Sequence, residues 1–305
     1  MMQLSLMKLI LESNSRVVYD NLIRSPLNYT GGKYKLLPQL LPLFPEKIKT
    51  FVDLFAGGFN VGINIRASHI LLNDNLTYLV DLYRYILCHS LNYIINYIEK
   101  RINEYNLTLQ NQDGYLALRV EYNRTGHPLD LFTLTAFSFN HQIRFNNSHE
   151  FNSPFGRERS RYNATMKKNL SNFVIAFRNA DIEISNLDFG LVDLSRLGSA
   201  DLVYCDPPYL ITTGTYNDGK RGFTGWNEGE ERRLLALLDS LNEKGIRFAL
   251  SNVLTHKGKR NDILADWIAE KGYNVHPLSM CYGNSSYHTK DRGRDSTREA
   301  LITNY

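Results

Sequence analysis

Four consecutive residues, Asp206-Pro207-Pro208-Tyr209, carry the sharpest chemical signal in the chain. A carboxylate and a backbone carbonyl side by side can each accept one N–H of a planar amine. Held this way, the nitrogen aims its lone pair, otherwise delocalised into a ring, at an incoming methyl group. The same acceptors stabilise the positive charge that grows on nitrogen during transfer. Asp206 supplies the carboxylate and Pro207 the carbonyl. Pro207 and Pro208 hold the turn rigid, and Tyr209 offers a face on which a base can stack. Adenine N6, cytosine N4, RNA bases and protein glutamine all present such a nitrogen, and Asp rather than Asn at 206 leans toward a base in DNA. The bland alternative is a strand-ending proline turn with an Asp cap.

A second cluster is Asp53-Leu54-Phe55-Ala56-Gly57-Gly58. A strand that ends in small residues lets a ligand approach the backbone closely, although two glycines alone also describe an ordinary strand-to-helix turn. The spacing Gly57-Gly58-Phe59-Asn60-Val61-Gly62 does not fit the dinucleotide fingerprint GxGxxG, which argues against a nicotinamide cofactor. Asp74, after the next strand, stands where an acid can hold ribose hydroxyls. A helix cap is an equal reading of it.

The elements that must position these residues follow from the apolar patterning. Thr50 to Phe55 and His69 to Leu72 read as strands, with Val61 to Ala67 starting a helix between them. Lys35 to Leu43 reads as a short helix. Long helical periodicity runs from Leu79 to about Leu118, followed by a polar, basic, Asn-rich stretch from Asn140 to Asn163. Strand patterning then resumes at Ile182 to Leu187 and at Leu202 to Cys205, which puts Asp206 at the carboxyl end of a buried strand. Glu228 to Lys244 and Asp262 to Lys271 are amphipathic helices around a strand at Arg247 to Ser251. Tyr273 to Met280 and Glu299 to Asn304 close the pattern as an edge hairpin. Strand, Gly turn, helix, strand, acid opens a doubly wound α/β fold, and the helical and Asn-rich block is inserted into it.

Composition fits this class. The chain has 305 residues, a net charge of +4 and 43% hydrophobic residues, enough for a sizeable core. Between Arg144 and Arg178, seven basic residues face two acids, Glu150 and Glu158. Such a run is either a solvated face or a phosphate-binding strip. Cys88, Cys205 and Cys281 are odd in number and widely spaced, which argues against disulfides and a zinc site and suits a reducing cytoplasm. The histidines lack ligand spacing, so no metal is expected, and no apolar run is long enough to span a membrane. Met1 to Leu11 reads as a local helix. Trp226 and Trp267 read as packing residues, and His256 to Arg260 as a solvated basic loop. Ser285 to Arg298 reads as a polar loop at a DNA backbone.

In this order, the motifs resemble the Dam-type (D12 class) DNA adenine-N6 methyltransferase family over most of the chain. Tyr29-Thr30-Gly31-Gly32-Lys33 resembles its N-terminal cofactor motif and Asp53 to Gly58 its glycine-rich motif. Asp74 resembles its ribose-binding acid, and Asn186-Leu187-Asp188-Phe189 the acid that reads the cofactor adenine. Asp206 to Tyr209 resembles the catalytic tetrapeptide, and Ser251-Asn252 the end of the following strand. Arg144-Phe145-Asn146 with Glu150 to Arg157 resembles the recognition hairpin, where an arginine reads a guanine.

The resemblance implies a Rossmann-like S-adenosylmethionine-dependent domain over 1–78 and 170–305, with a helical and hairpin target-recognition domain at 79–169. It implies double-stranded DNA as substrate and base flipping, and it leaves open a restriction–modification role with a cognate endonuclease not held in a stable complex, a phage role or a solitary regulatory role. Cofactor contacts fall on Tyr29, Gly32, Lys33, Asp53, Phe55, Ala56, Gly57, Gly58, Asp74, Asp188, Phe189 and Asp206. DNA contacts fall on Phe139, Asn140, Arg144, Asn146, Arg157, Arg159 and Arg161, with Phe139 or a neighbour filling the gap left by the flipped base. Two positions depart from the pattern. Phe59 stands where a third small residue is usual, and Asn28 replaces the lysine with which the GATC enzymes read the outer guanine, leaving a GAT-containing target open. A degenerate, DNA-binding-only relative would show damaged cofactor motifs, and these are intact.

Overall fold

The computed structural model describes residues 21–29, 31–212, 225–279 and 297–305. The expected helix at Met1 to Leu11, Thr30, Cys281 and nearly all of the Ser285–Arg298 loop lie outside them.

Seven strands form one path, β3-β2-β1-β4-β5-β8-β7, with the short β6 (Lys259–Arg260) paired to the end of β5. β1 (Ile48–Asp53), β2 (Ala67–Asn73), β3 (Ile182–Ser185), β4 (Leu202–Cys205) and β5 (Arg247–His256) are parallel to their neighbours. β8 (Thr297–Thr303) lies antiparallel between β5 and β7 (Asn274–Leu278). The expected terminal hairpin is therefore present, with its second strand threaded inward. The central strands are apolar because both faces are covered, as parallel sheets require. All four residues of β4 are buried. Phe51, Ile70 and Tyr204 face one helical layer, made by α2 (Thr77–Cys88) and α6 (Ala164–Asn179) among others. Val52, Val203, Cys205 and Leu250 face the other, made by α7 (Glu228–Glu243) and α8 (Asp262–Lys271). Trp267 belongs to this second core, as its sequence context suggested.

The strand order reverses between β1 and β4. In such sheets the crevice beyond the carboxyl ends at that point receives ligands. Asp53 ends β1, Asp74 follows β2 and Asp206 follows β4, so the topology itself gathers the three acids.

The block between β2 and β3 divides in two. Leu79, Leu82, Tyr83 and Ile86 of α2, and Phe173 and Phe177 of α6, belong to the sheet's core. The expected boundary between residues 78 and 79 falls inside α2. α3 (Leu91–Glu104) bridges outward. α4 (Gln112–Thr125) and α5 (Pro128–Phe137) join Leu107, Phe145 and Phe151 in a separate core. Arg101 reaches into this region with two bonds, 2.8 and 2.9 Å, to the buried Asp130.

Two local expectations need correction. Val61 to Ala67 does not start a regular helix. It makes one 3₁₀ turn, Gly62–Asn64, and then β2 begins at Ala67. The Asn64 side chain is committed instead to both the N–H and the C=O of Ile23, at 2.7 Å each, and Asn60 Oδ1 accepts from Ser25 N. These bonds strap the N-terminal segment over the turn. Lys35 to Leu43 is likewise broken, with a four-residue helix α1 (Leu37–Leu40) between two 3₁₀ turns. Pro38 and Pro42 interrupt the ladder there.

Candidate active site

A cavity of about 750 Å³ opens at the reversal point, within the usual range for small-ligand sites. Lys33, Asp53, Asp74, Asp206 and Tyr209 all line it, as do Tyr29, Gly32 and Phe55 to Gly58.

Lys33 is buried at the centre. Its Nζ lies 2.8 Å from Asp206 Oδ2 and 3.5 Å from Glu299 Oε1, and donates to Gly31 O at 3.0 Å. Tyr209 stands beside this pair, its hydroxyl 3.0 Å from Asp206 Oδ1 and 2.8 Å from Glu299 Oε1. Burial pushes the Asp206 carboxyl above its usual range, the Lys33 ammonium works against that, and Glu299 adds to it. Lys33 is thus the group that keeps a buried Asp206 able to ionise. Pro208 lines the cavity, whereas Pro207 is buried and not part of the lining.

Asp53 is pushed up to about 8, first by burial and then by the neighbouring charges of Asp206 and Asp74. Its Oδ2 accepts from Gly62 N at 3.2 Å, while Oδ1 is buried with no partner among the described residues. Asp74 ties two turns together, Oδ2 to Gly57 N at 2.7 Å and Oδ1 to Leu76 N at 2.9 Å. It is not the cap of α2, whose N-cap position is Leu76. The glycines answer a steric need. Gly57 has φ +48°, and a Cβ there would lie 3.1 Å from the Tyr29 ring. At Gly58 it would lie 3.2 Å from Tyr29 Cβ. The bare backbone therefore seats Tyr29 as much as any ligand.

Phe59 shows why a large residue is accepted after these glycines. With φ +55°, its fully buried ring packs into the core against Tyr83, Phe173 and Phe177. Gly62 is obligatory beneath it, since a Cβ would come within 2.0 Å of the ring.

Phe55, Phe189 and Trp226 also line the cavity and pack on one another as an aromatic wall, with centroids 5.3 to 5.9 Å apart. Asp188 caps the turn at Phe189 through Gly190 N, and the same oxygen receives Arg233 at 2.7 Å.

Asn140 to Asn163 is hairpin-like but sparsely paired. Two isolated bridges, Ser138 to Phe155 and Phe145 to Phe151, hold it together. Arg144 is exposed and lines the cavity mouth with Asn28. Asn28 Nδ2 donates to Asn140 O at 2.9 Å, across 112 residues of sequence. Asn140 and His141 both have φ of 54°. Phe139 is 39% exposed, with the Arg159 guanidinium 4.9 Å above its ring. Asn146 is occupied in its own turn, accepting from Ser148 N and Glu150 N and donating to Glu150 Oε2. Arg157 meets Gln112 at 3.2 Å, and Arg161 is exposed.

Residues 29–280 match the D12 class N6 adenine-specific DNA methyltransferase family. The chain is 52% identical over 286 residues to the type II methyltransferase M.FokI of Planomicrobium okeanokoites. It is 51% identical over 283 residues to the modification methylase StsI of Streptococcus sanguinis. These alignments take in 94% and 93% of this chain and 43% of each relative, so the chain spans less than half their length. The DNA adenine methylase of Escherichia coli (strain K12) is 28% identical over 233 residues, 75% of this chain and 80% of that protein. The chain belongs to the D12 class family.

In this family member, several residues of the site escape a sequence reading. Glu299 lies in an apolar strand that reads as edge structure, yet its carboxylate is buried on Tyr209 and Lys33. An acid inside an apolar strand is costly unless paired, and that is the signal it offers. Trp226, expected as plain packing, also lines the cavity. Its Nε1 is fixed by Glu231 Oε2 at 2.6 Å, and Glu231 is itself held by Asn252 and Asn261 at 3.0 Å each. Arg233 lines the cavity at Asp188. Tyr78 lies at its wall, stacked on Phe145 at 4.3 Å. Among the described residues no group of three or more His, Cys, Asp and Glu is placed to hold a metal ion. No helix among them is long and apolar enough to cross a membrane.

Proposed function

We propose that this chain transfers a methyl group from S-adenosylmethionine to N6 of adenine in duplex DNA, as the modification half of a restriction–modification system. The observation that carries this is the Asp206–Lys33–Tyr209 constellation at the cavity, on a chain of the D12 class.

The cavity's chemistry suits the cofactor. The crowding of Asp53 by Asp206 and Asp74, which with burial raises it to about 8, would be relieved by a cationic ligand, and Asp53 Oδ1 is buried with no partner among the described residues. The aromatic wall of Phe55, Phe189 and Trp226 offers a face against which a flat heterocycle can pack. Tyr29, Gly32, Lys33, Phe55, Ala56, Gly57 and Gly58 would hold it, with Asp74 at its ribose. Asp74 lines the cavity where the turn after β2 meets the glycine-rich turn, its oxygens holding Gly57 N and Leu76 N and so fixing the carboxylate in place. Asp188 would read the adenine through Oδ2, since Oδ1 serves Gly190 and Arg233. When bound, the cofactor supplies an electrophilic methyl group on a sulfonium.

The protein's own contribution is to hold the target. The amine is hidden in the duplex, so the base must be extruded. Tyr209 stacks it, and the Asp206 carboxylate and Pro207 carbonyl accept its two N–H bonds, concentrating the lone pair on nitrogen and stabilising the charge that develops. The small core of α4, α5, Phe145 and Phe151 carries target recognition. Arg144 meets a guanine, Phe139 or Asn140 fills the vacated space, and Arg157, Arg159 and Arg161 lie at phosphates. Any restriction endonuclease would act on the same sequence without a stable complex.

The test is labelled methyl transfer to duplex oligonucleotides, with nucleoside digestion to identify the product. N6-methyladenine is expected. Asp206→Ala is expected to keep the fold and lower turnover by roughly a hundredfold or more. Near-normal turnover in that variant, or a different methylated base, would sink the assignment.

A further inference from the structure

Tyr209 has one hydroxyl proton and two carboxylates within reach of it. Its oxygen is 2.8 Å from Glu299 Oε1 and 3.0 Å from Asp206 Oδ1, and a phenol donates a single hydrogen. Burial, reinforced by Asp206 and Glu299, pushes its pKa well above the ordinary value, so the hydroxyl stays protonated. Lys33 cannot resolve the competition. It already serves Asp206 Oδ2 at 2.8 Å and Gly31 O at 3.0 Å, and reaches Glu299 only at 3.5 Å. Glu299, on β8, is 5% exposed and approaches the hydroxyl more closely than Asp206 does.

We propose that Glu299 is a positioning residue of the active site: it accepts the Tyr209 hydroxyl's hydrogen bond, leaves Asp206 Oδ1 open to accept an N–H of the target amine, and pins the Tyr209 ring for stacking. This rests on the methyl transfer proposed above. Without Glu299, the hydroxyl turns to Asp206 Oδ1 and competes with the amine for the same lone pair. Lys33 then neutralises Asp206 alone, weakening it further as an acceptor.

Proton counting makes a prediction that simple loosening of the site does not. Glu299→Ala lowers kcat by about tenfold or more, the scale of a lost charge-assisted bond. Tyr209→Phe loses the same bond but also the donor that could compete for Asp206 Oδ1, so it lowers kcat less, by roughly fivefold. The double variant Tyr209→Phe/Glu299→Ala turns over faster than Glu299→Ala, because the competing donor is gone. The assay is single-turnover methylation of duplex DNA at saturating cofactor, with thermal melting to establish folding. A double variant no faster than Glu299→Ala, or a Glu299→Ala variant with normal kcat, overturns the proposal.

Glu299→Gln keeps the shape should the alanine variant fail to fold. The charged and titratable groups facing Asp206 among the described residues are Lys33, Glu299, Asp53, Tyr209, Tyr204 and Cys205. The Glu299 charge opposes Asp206 ionisation, so Glu299→Gln moves the acid limb of the kcat–pH profile to lower pH. An unmoved limb, or one moved upward, overturns the proposal. A wild-type chain that methylates no duplex overturns both this and the proposed function. An active wild type with the wrong variant pattern overturns this inference alone.

Discussion

Lys33→Met is the perturbation whose size the geometry fixes best. The ammonium sits 2.8 Å from Asp206 Oδ2 and 3.5 Å from Glu299 Oε1, with side-chain exposures of 5%, 19% and 5% for the three groups. At an effective dielectric of about 20, unit charges at these separations attract by about 6 and 5 kcal/mol. Dehydrating the ammonium takes part of that back, and removing one partner of a buried pair costs about 3–5 kcal/mol net. At about 1.4 kcal/mol per pKa unit, that corresponds to roughly 2–4 units upward for an Asp206 carboxyl already raised by burial. Asp206 must be ionised to accept the amine, so activity requires a pH above its pKa. Lys33→Met should therefore move the acid limb of kcat upward by about two pH units or more, and the loss at neutral pH should recover as the buffer turns alkaline. The measurement is single-turnover transfer of labelled methyl groups to duplex DNA at saturating cofactor across pH, with thermal melting as a control. A folded variant whose acid limb stays in place, or moves down, would show that Lys33 does not set the charge of Asp206.

Three further outcomes follow from the same geometry. Asp53 is held near 8 when folded against 3.8 as its ordinary value, so the folded state retains a proton that the unfolded state loses. Its contribution is fully present below about 4 and is lost as pH rises to about 8. Asp53→Asn should thus gain thermal stability relative to wild type progressively from pH 5 to 8, and a pH-independent difference in melting temperature would contradict this. Asp74→Ala should weaken cofactor binding roughly tenfold to a hundredfold while slowing saturated turnover less, and calorimetry showing unchanged affinity would remove the ribose role. Arg144→Ala should relax discrimination at one base pair by about 1–3 kcal/mol. Arg159→Ala should weaken binding to every sequence and lower the salt slope by roughly one. A uniform loss in Arg144→Ala across all single-base variants of the site would leave it a phosphate ligand.

The sheet was legible where sequence and burial say the same thing. Leu202 to Cys205 is apolar because both its faces are covered, and it delivers Asp206 to the crevice as expected. Legibility failed where side chains bond to backbone far away. Asn64 is an unremarkable residue in sequence, yet its two bonds to Ile23 replace a helix with a single turn. Asn146 was placed at DNA by its resemblance to a recognition hairpin, and its amide also shapes its own turn through Ser148 and Glu150, which the residue type alone does not show. Glu299 was hidden for the opposite reason. Its partners lie 90 and 266 residues earlier in the chain, and only the inward threading of β8 brings it to them.

The separate core of α4 and α5 has a consequence for how the molecule tolerates change. Leu107, Tyr115, Leu118, Tyr122, Leu131, Leu134 and Phe151 close on one another with little help from the sheet. Mutations that reshape the exposed loop between Phe137 and Ser160 are therefore absorbed locally, without disturbing the strands that align the three acids. With target recognition assigned to this unit, as proposed above, a change from one DNA word to another needs no change in the strands that carry the chemistry. New specificities are then reached by exchange or slow revision of one small unit, not by rebuilding the enzyme.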